Sequence, residues 1–399
     1  MRVALVYDRV NKFGGAERVL TALHEIWPEA PLFTGVYDSE VAGWAKGWDI
    51  RTSFLQSFPF AKKWHEGFGW MMPLAFESFD FSEFDVIISV TSEAAKGIIT
   101  NPRQLHICYL LTPTRYLWSH ANEYLSEIPT ALKPLARIAQ VKLRVWDFMA
   151  AQRPDYFLSI SKLVQRRCWK YYRREAEVVY PMLGLSSSLN VERRTLNVDQ
   201  RSTHSAQRSA VKSYFLVVSR LVPYKRIDLA IKAYNRLKLP LVIVGTGSEE
   251  KSLKRLAGRT IKFTGYLTDQ GLIEYYRNAR AIIMPQEEDF GLTAVEALSF
   301  GVPVISYKHS GAAEMIKDGE TGILFGEQSV NSLAEAIKKI KNVKFRPAER
   351  GPASPCTRRY GASQDKLHNE IYSQNRFKQE FKDKINKLWM KHQENIYSR

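Results

Sequence analysis

The chain of 399 residues is poor in cysteine. Its three cysteines, Cys108, Cys168 and Cys356, are scattered, with no CxxC pair and no cysteine–histidine cluster. That excludes a disulfide framework or a zinc site as the organising device and implies a reducing compartment. No apolar run reaches the ~20 residues of a membrane-spanning helix. The amino terminus, MRVALVYD, is interrupted at Asp8 and Arg9, too soon for a secretory signal. A soluble cytoplasmic protein is expected. Several catalytic signatures are also missing. Gly245-Thr246-Gly247-Ser248-Glu249-Glu250 has Glu where a dinucleotide-binding GxGxxG needs its third glycine, and no Walker A sequence occurs. Asp289-Phe290-Gly291 spells a kinase DFG, but the HRD and glycine-rich loops that must accompany it are absent. No DxD acid pair is available to hold a divalent cation, so no metal is expected. Dehydrogenase, P-loop ATPase and kinase chemistries are thus disfavoured.

The composition, 45% hydrophobic and 25% charged, is that of a globular protein. The length exceeds one ordinary core and suits two α/β domains. Lys and Arg outnumber Asp and Glu by 58 to 41, a net charge of +17 that calls for an anionic partner: nucleic acid, anionic lipid or a phosphorylated ligand. Nucleic acid is disfavoured, because the basic stretches carry no recognition motif and the aromatics sit mostly in apolar periodic runs. One basic stretch is distinctive. Ala131 to Arg174 holds eleven Lys/Arg and two Asp, and Leu135, Ile138, Val141, Val145, Trp146 and Met149 recur there at helical spacing. A surface helix packed on the core through that stripe is the favoured reading; a helix lying on an anionic membrane surface is the alternative. Phe54 to Phe79, rich in aromatics beside Lys62 and Lys63, leaves the same two readings open.

Short apolar runs alternate with helical patterns. RVALVY (2–7), DVIISVT (85–91), HICYLL (106–111), DYFLSIS (155–161) and EVVYP (177–181) read as buried strands, with a helix beginning near Gly15. Residues 183–211 lose apolar periodicity and read as a linker. Alternation resumes with YFLVVSR (214–220), LVIVGTG (241–247), IKFTGYL (261–267), AIIMP (281–285), PVISY (303–307) and GILF (322–325). Strand–helix alternation means parallel sheets, so the chain is expected to form two doubly wound α/β domains facing a cleft: 1–190, a linker at 191–212, and 213–345. Residues 346–370 read as irregular and 371–399 as a basic amphipathic helix. No internal repeat is evident.

Three motifs carry chemistry. In Glu288-Asp289-Phe290-Gly291-Leu292-Thr293-Ala294-Val295-Glu296, two glutamates stand eight positions apart, one after a strand and one inside the next helix. Gly291 lets backbone approach a ligand, and a helix opening near Leu292 offers free N–H groups to a diphosphate. Glu296 can then accept hydrogen bonds from ribose hydroxyls, while Glu288 can reach a sugar ring. Ser219-Arg220-Leu221-Val222-Pro223-Tyr224-Lys225 follows the first strand of the second domain, where Arg220 and Lys225 can neutralise a departing diphosphate. Phe13-Gly14-Gly15-Ala16-Glu17-Arg18 follows the first strand of the chain, and its paired glycines suit close approach to phosphate or sugar.

Taken with GTGSE, FTGYL and SFGVPVISYKHSGAAEMIKDGETGILF, these motifs resemble the family 4 retaining glycosyltransferases of the GT-B fold. The resemblance runs from about Met1 to Ile340 and is most specific from Ser219 to Phe325. TSFLQ (52–56), HICYLLTPTRYLWS (106–119) and EVVYPML (177–183) are similar to the bacterial O-antigen mannosyltransferase subgroup. The resemblance implies two Rossmann-like domains and a nucleotide-sugar donor, best guessed as GDP-mannose with a UDP-sugar as alternative. It implies transfer to a lipid-linked or oligosaccharide acceptor, at the inner face of the membrane if the chain is peripheral. Arg220 and Lys225 would hold the diphosphate, Glu288 the transferred sugar and Glu296 the ribose. Backbone from Asp289 through Phe290, Gly291, Leu292 and Thr293 would bind sugar hydroxyls and phosphate. Backbone at Tyr266 and Leu267 would edge the base, and Gly14 and Gly15 would close over the phosphates. Arg115 and Trp118 would lie on the acceptor side. The family needs no metal or other cofactor. One departure stands out: Leu111 replaces a His common in the subgroup before its TP pair, and Ser119 replaces the Asp that often follows the Trp. His106 and His120 lie nearby in sequence. Either the sugar is held differently or catalysis is impaired; the intact phosphate-handling residues favour activity.

Overall fold

The computed structural model describes residues 1–62, 65–183, 214–342 and 371–397; the expected linker and the irregular segment at 346–370 lie outside them. The chain divides into two compact units. One comprises Met1–Met182 with Gln374–Arg399, the other Leu183–Ser373.

The first unit is built on seven parallel strands: β1 (Val3–Tyr7), β2 (Leu32–Thr34), β3 (Ile50–Thr52), β4 (Val86–Thr91), β5 (Leu105–Leu110), β6 (Tyr156–Ser159) and β7 (Glu177–Val178), in the order β3-β2-β1-β4-β5-β6-β7. Every residue of β1, β4 and β5 is buried, as befits strands covered on both faces by helices. The helices are α1 (Gly15–Ile26), α2 (Met72–Glu77), α3 (Ala121–Glu127), α4 (Lys133–Ala150) and α5 (Lys162–Tyr172). The three-residue strands β2 and β3 escape sequence reading because each is too short to repeat a strand's two-residue alternation.

The second unit has six parallel strands: β8 (Tyr214–Val218), β9 (Leu241–Val244), β10 (Ile261–Gly265), β11 (Ala279–Met284), β12 (Val304–Tyr307) and β13 (Gly322–Phe325), in the order β10-β9-β8-β11-β12-β13. Between them run α6 (Ile227–Leu237), α7 (Glu250–Leu256), α8 (Asp269–Asn278), α9 (Leu292–Ser299) and α10 (Val330–Asn342). One core of this unit joins Phe215, Ile243, Ile283 and Ile305 of the sheet to Ile231 and Tyr234 of α6 and Leu333 and Ile337 of α10. Strand order reverses at β8, which lies between β9 and β11. The loops leaving the carboxyl ends of β8 and β11 therefore flank the switch point, where doubly wound sheets bind ligands.

The amphipathic segment near the carboxyl end, expected as a region apart, is helix α11 (Gln374–Tyr397) and belongs to the first unit. Its apolar face is wholly buried at Phe377, Phe381 and Ile385. The Phe381 ring packs edge-on against Tyr109 at 5.3 Å and Trp27 at 6.4 Å. Lys378 pairs with Glu25, Lys384 pairs with Glu177, and the Arg376 guanidinium donates to the Tyr180 carbonyl at 2.8 Å.

The expected core packing of the basic stretch at 131–174 is corrected. In α4 the inward face is Asp147, Ala150 and, half-buried, Trp146. Leu135, Ile138, Val141, Val145 and Met149 are instead 56–67% exposed. Helical periodicity reported an apolar stripe; it could not report that polar bonds on the opposite face would turn that stripe outward. The aromatic stretch from Phe54 divides. Phe76 and, partly buried, Phe68 and Phe79 join a core with Phe33 and Ile87, while Phe58, Phe60 and Trp70 are exposed.

Truncating Phe381 to Ala should cost about 3–5 kcal/mol, the loss for a fully buried aromatic. Urea unfolding followed by circular dichroism measures it; a loss under ~1 kcal/mol would mean that α11 is not integral to the first unit.

Candidate functional site

In the second unit, close backbone packing fixes the loop after β8. A Cβ on Gly245, whose φ is +131°, would lie 1.9 Å from the Ser219 carbonyl oxygen, and one on Gly247 would lie 2.2 Å from that of Leu221. These glycines thus serve the packing of loop on loop. The Leu221 N–H donates to the Thr246 carbonyl and the Glu249 N–H to the Leu221 carbonyl, both at 2.9 Å. On this base Arg220 is exposed and its guanidinium donates to the Tyr224 hydroxyl. The Lys225 ammonium lies 5.5 Å from the centre of the Tyr224 ring and forms an ion pair with Glu288.

That ion pair joins the two switch-point loops. Its side chains are only 11% and 18% exposed, so the pair is largely withdrawn from water without being sealed in. The Glu288 carboxylate also accepts from the Gln286 amide at 2.8 Å. Its backbone is held from the loop after β12: the Glu288 N–H donates to Ser310 Oγ at 3.0 Å, and the Gly311 N–H donates to the Glu288 carbonyl at 2.7 Å. A Cβ on Gly311 would stand 2.1 Å from the Asp289 carbonyl oxygen, so that position too is closed to any side chain. Asp289 and Phe290 are buried, with Phe290 packed on Tyr372 at 5.9 Å between ring centres.

Gly291 caps α9 with φ +93°, a left-handed conformation that glycine adopts without strain. Leu292 and Thr293 open the helix and are half-buried. The helix begins one loop away from Lys225, so an ammonium and a helix amino terminus serve the same strand ends. Glu296, one turn in, is buried and accepts from the Tyr276 hydroxyl at 2.7 Å. Burial, and then the neighbouring Glu296 charge, push the Tyr276 hydroxyl well above its ordinary range, which keeps it a neutral donor. After β10, Tyr266 is 76% exposed and Leu267 half-buried. The structure therefore brings Arg220, Lys225, Glu288, Asp289, Phe290 and Gly291 to the neighbouring loops after β8 and β11. Gln286, Tyr224, Tyr276, Ser310 and Gly311 went unassigned in the sequence. Tyr276, Ser310 and Gly311 act through partners 20 or more positions away, whereas Tyr224 and Gln286 act on neighbours within four positions and stand beside the recognised motifs.

In the first unit, Gly14 precedes α1 in extended backbone at φ −169°, and Gly15 begins the helix; both are half-buried. Glu17 is buried behind them and accepts from the Tyr7 hydroxyl at 2.6 Å, while the Arg18 guanidinium lies 5.0 Å from the centre of the exposed Phe13 ring. Arg115 and Trp118 follow β5 and are half-buried. The Trp118 indole stacks on Tyr171 at 5.1 Å and donates to Asp147 Oδ2 at 2.7 Å. Asp147 also accepts from Lys96 Nζ at 2.6 Å, Thr114 Oγ1 at 2.7 Å and the Tyr172 hydroxyl at 2.8 Å, all buried. One carboxylate of α4 thus fixes the Thr114–Trp118 segment.

His106 does not take the place that Leu111 leaves. His106 is buried within β5 at 2.8 Å from Ser89 Oγ, and burial first, then Arg153 and Arg174, push its pKa down to about 3. His120 precedes α3 and lies 2.8 Å from Ser119 Oγ. The unfolded chain takes up a proton at His106 below ~6.5 that the native chain refuses until about pH 3. Stability should therefore fall with acidification across that window, by up to ~1.4 kcal/mol per pH unit from this group, and His106→Asn should flatten the slope in urea titrations.

Removing Lys225 leaves Glu288 part-buried without its cation. Lys225→Ala and Glu288→Ala should each destabilise the second unit, and the double variant should lose less than their sum, with a coupling of about 0.5–3 kcal/mol in unfolding measurements. Additive losses would show that the pair contributes nothing as a pair.

Residues 200–350 match the family model described as Glycosyl transferases group 1. The chain is 26% identical over 204 residues to the O-antigen chain mannosyltransferase C of Escherichia coli, covering 49% of this chain and 51% of that one. It is 33% identical over 151 residues to a GDP-mannose-dependent monoacylated alpha-(1-6)-phosphatidylinositol monomannoside mannosyltransferase of Corynebacterium glutamicum, covering 34% and 39%. The chain spans about half or less of the length of these curated relatives. Among solved structures, HepE of Anabaena in complex with UDP aligns at TM-score 0.63 and 16% identity over 97% of this chain and 100% of that one. The sucrose-phosphate synthase of Thermosynechococcus elongatus aligns at TM-score 0.65 and 16% identity over 98% and 100%. The chain thus has the GT-B fold of two Rossmann-like domains, and its second unit carries the match to the glycosyl transferases group 1.

Proposed function

We propose that the protein is a retaining hexosyltransferase that takes its sugar from a nucleotide diphosphate donor without a metal ion. The observation that supports this most is the Lys225–Glu288 pair beside the amino end of α9. A diphosphate needs cations and unsatisfied N–H groups; a sugar needs a carboxylate to accept from its hydroxyls. Both stand within one switch-point pair of loops.

In the proposed reaction the bond from the anomeric carbon to the β-phosphate oxygen breaks through an oxocarbenium-like state. The acceptor hydroxyl oxygen bonds to that carbon on the same face, and its proton passes to the departing phosphate. Negative charge grows on the phosphate, so Arg220 and Lys225 stabilise the transition state more than the ground state. Glu288 orients the sugar, Glu296 the ribose, and the backbone at Tyr266 and Leu267 edges the base. The donor we favour is GDP-mannose, after the mannosyltransferase names of the two relatives, and the acceptor a lipid-linked or growing surface glycan at the inner face of an anionic membrane. Arg115, on a segment pinned through Asp147, would grip the acceptor's phosphate. A UDP-sugar is the second reading, suggested by the UDP in the HepE structure.

Turnover of nucleotide sugars should persist in EDTA. Lys225→Ala and Arg220→Ala should each lower kcat about 100-fold or more while the fold survives. In thermal shifts, a saturating nucleotide of the right base should raise the midpoint by several degrees. GDP acting and UDP failing supports the first donor; the reverse establishes the second. If a panel of nucleotide sugars gives neither turnover nor specific stabilisation, the enzyme reading falls.

A further inference from the structure

Helix α4 presents to solvent what a helix ordinarily hides. At 100° per residue, Leu135, Ile138, Val141, Val145 and Met149 fall within an arc of about 120°, and all are more than half exposed. The opposite face is fixed. Asp147 is buried against Lys96, Thr114, Trp118 and Tyr172. The Trp146 indole donates to Glu77 Oε1 at 2.8 Å. Arg144 donates to the Leu117 carbonyl at 2.8 Å, and Gln140 to that of Tyr116 at 2.7 Å. Rotating the helix to bury the stripe would break every one of these bonds and strand the Lys96 and Asp147 charges. The outward stripe is therefore held in place by the fold.

Charge indicates what covers it. Arg137 and Lys142 are exposed beside the stripe, and no acidic residue occurs from Ile128 to Trp146. The Asp147 that follows points inward. Exposed Trp70 and Leu74 lie on the segment that Glu77 ties to α4 through Trp146 and to the turn after α4 through Arg153. An apolar strip with cations and no anions is unsuited to a second copy of itself, whose matching face would bring like charges together. It suits a surface with anionic heads over an apolar interior.

We propose that α4 is a monotopic membrane anchor. Leu135, Ile138, Val141, Val145 and Met149 enter the acyl boundary of an anionic bilayer, and Arg137 and Lys142 pair with its headgroups. The inference refines the membrane-facing acceptor reading above, yet its test needs no catalysis. Asp147 ties the anchor to the Thr114–Trp118 segment, so docking would set the height of that segment over the lipid.

Full-length protein is floated with vesicles of phosphatidylcholine alone and with ~30% phosphatidylglycerol. Binding to the anionic vesicles, weakened by raised salt, is expected. Ile138→Glu/Val145→Glu and, separately, Arg137→Glu/Lys142→Glu should each reduce vesicle partitioning about tenfold or more. Both pairs are exposed, so thermal unfolding and nucleotide-induced shifts should stay unchanged, which separates failure of docking from failure of the enzyme reading. Wild-type protein that ignores anionic vesicles, or variants that bind like wild type, would overturn the proposal. So would light scattering that shows a dimer dissociated by Ile138→Glu/Val145→Glu with vesicle binding retained.

Discussion

The second unit depends on one ion pair held at the right depth. Lys225 and Glu288 come from different loops, which leave the paired strands β8 and β11 side by side. A fully buried pair would spend its attraction on desolvation, and a fully exposed one would be screened to near nothing. At 11% and 18% exposure this pair avoids both limits. Its charges are already desolvated and oriented before any anion arrives. In the proposed reaction the diphosphate meets a cation that is already largely desolvated, and by taking Glu288's place beside Lys225 it leaves the carboxylate facing the sugar. That is electrostatic preorganisation expressed through two side chains.

The two units stabilise their carboxyl-end loops by different means. In the second, backbone meets backbone: Gly245, Gly247 and Gly311 each sit where a methyl group would collide with a carbonyl. In the first, buried carboxylates gather donors. Asp8 accepts from Thr91 Oγ1 at 2.7 Å and from the N–H groups of Ser92, Ala94 and Ala95 at 2.8–2.9 Å, tying the end of β1 to the loop after β4. Asp147 does the same for the segment after β5. Close backbone packing shows as glycines at fixed places in the sequence, whereas a carboxylate hub is assembled from donors far apart along the chain. The motifs that can be read from sequence accordingly cluster in the second unit.

That difference explains how much was legible. The parallel sheets were readable, because strands such as VIISVT and LVIV are buried on both faces and carry unbroken apolar runs. So were Gly291 and the start of α9, because a glycine before an apolar helix signals its own backbone geometry. The β2 and β3 strands, at three residues each, carried no period. The partners of Glu288 and Glu296 were invisible for another reason. Tyr276 lies 20 positions from Glu296 and Ser310 22 from Glu288, and no local pattern encodes contacts made across a sheet.

Helix α4 shows the limit of periodicity itself. Its spacing gave a correct helix and a correct stripe, but a stripe has no sign; burial is decided by what the remaining face must satisfy. Here the remaining face carries a carboxylate that must meet Lys96, an indole that must meet Glu77 and a guanidinium that must meet a carbonyl. Leaving those groups buried without partners would cost several kcal/mol in total. Leaving five aliphatic side chains in water costs about 1.5–3 kcal/mol each at full exposure, and less at the exposure observed. The two sums are close, so the fold tolerates the exposed stripe only as a standing cost. A cost of that size is recovered when an apolar phase covers the stripe, so the outward face of α4 gains from such a partner.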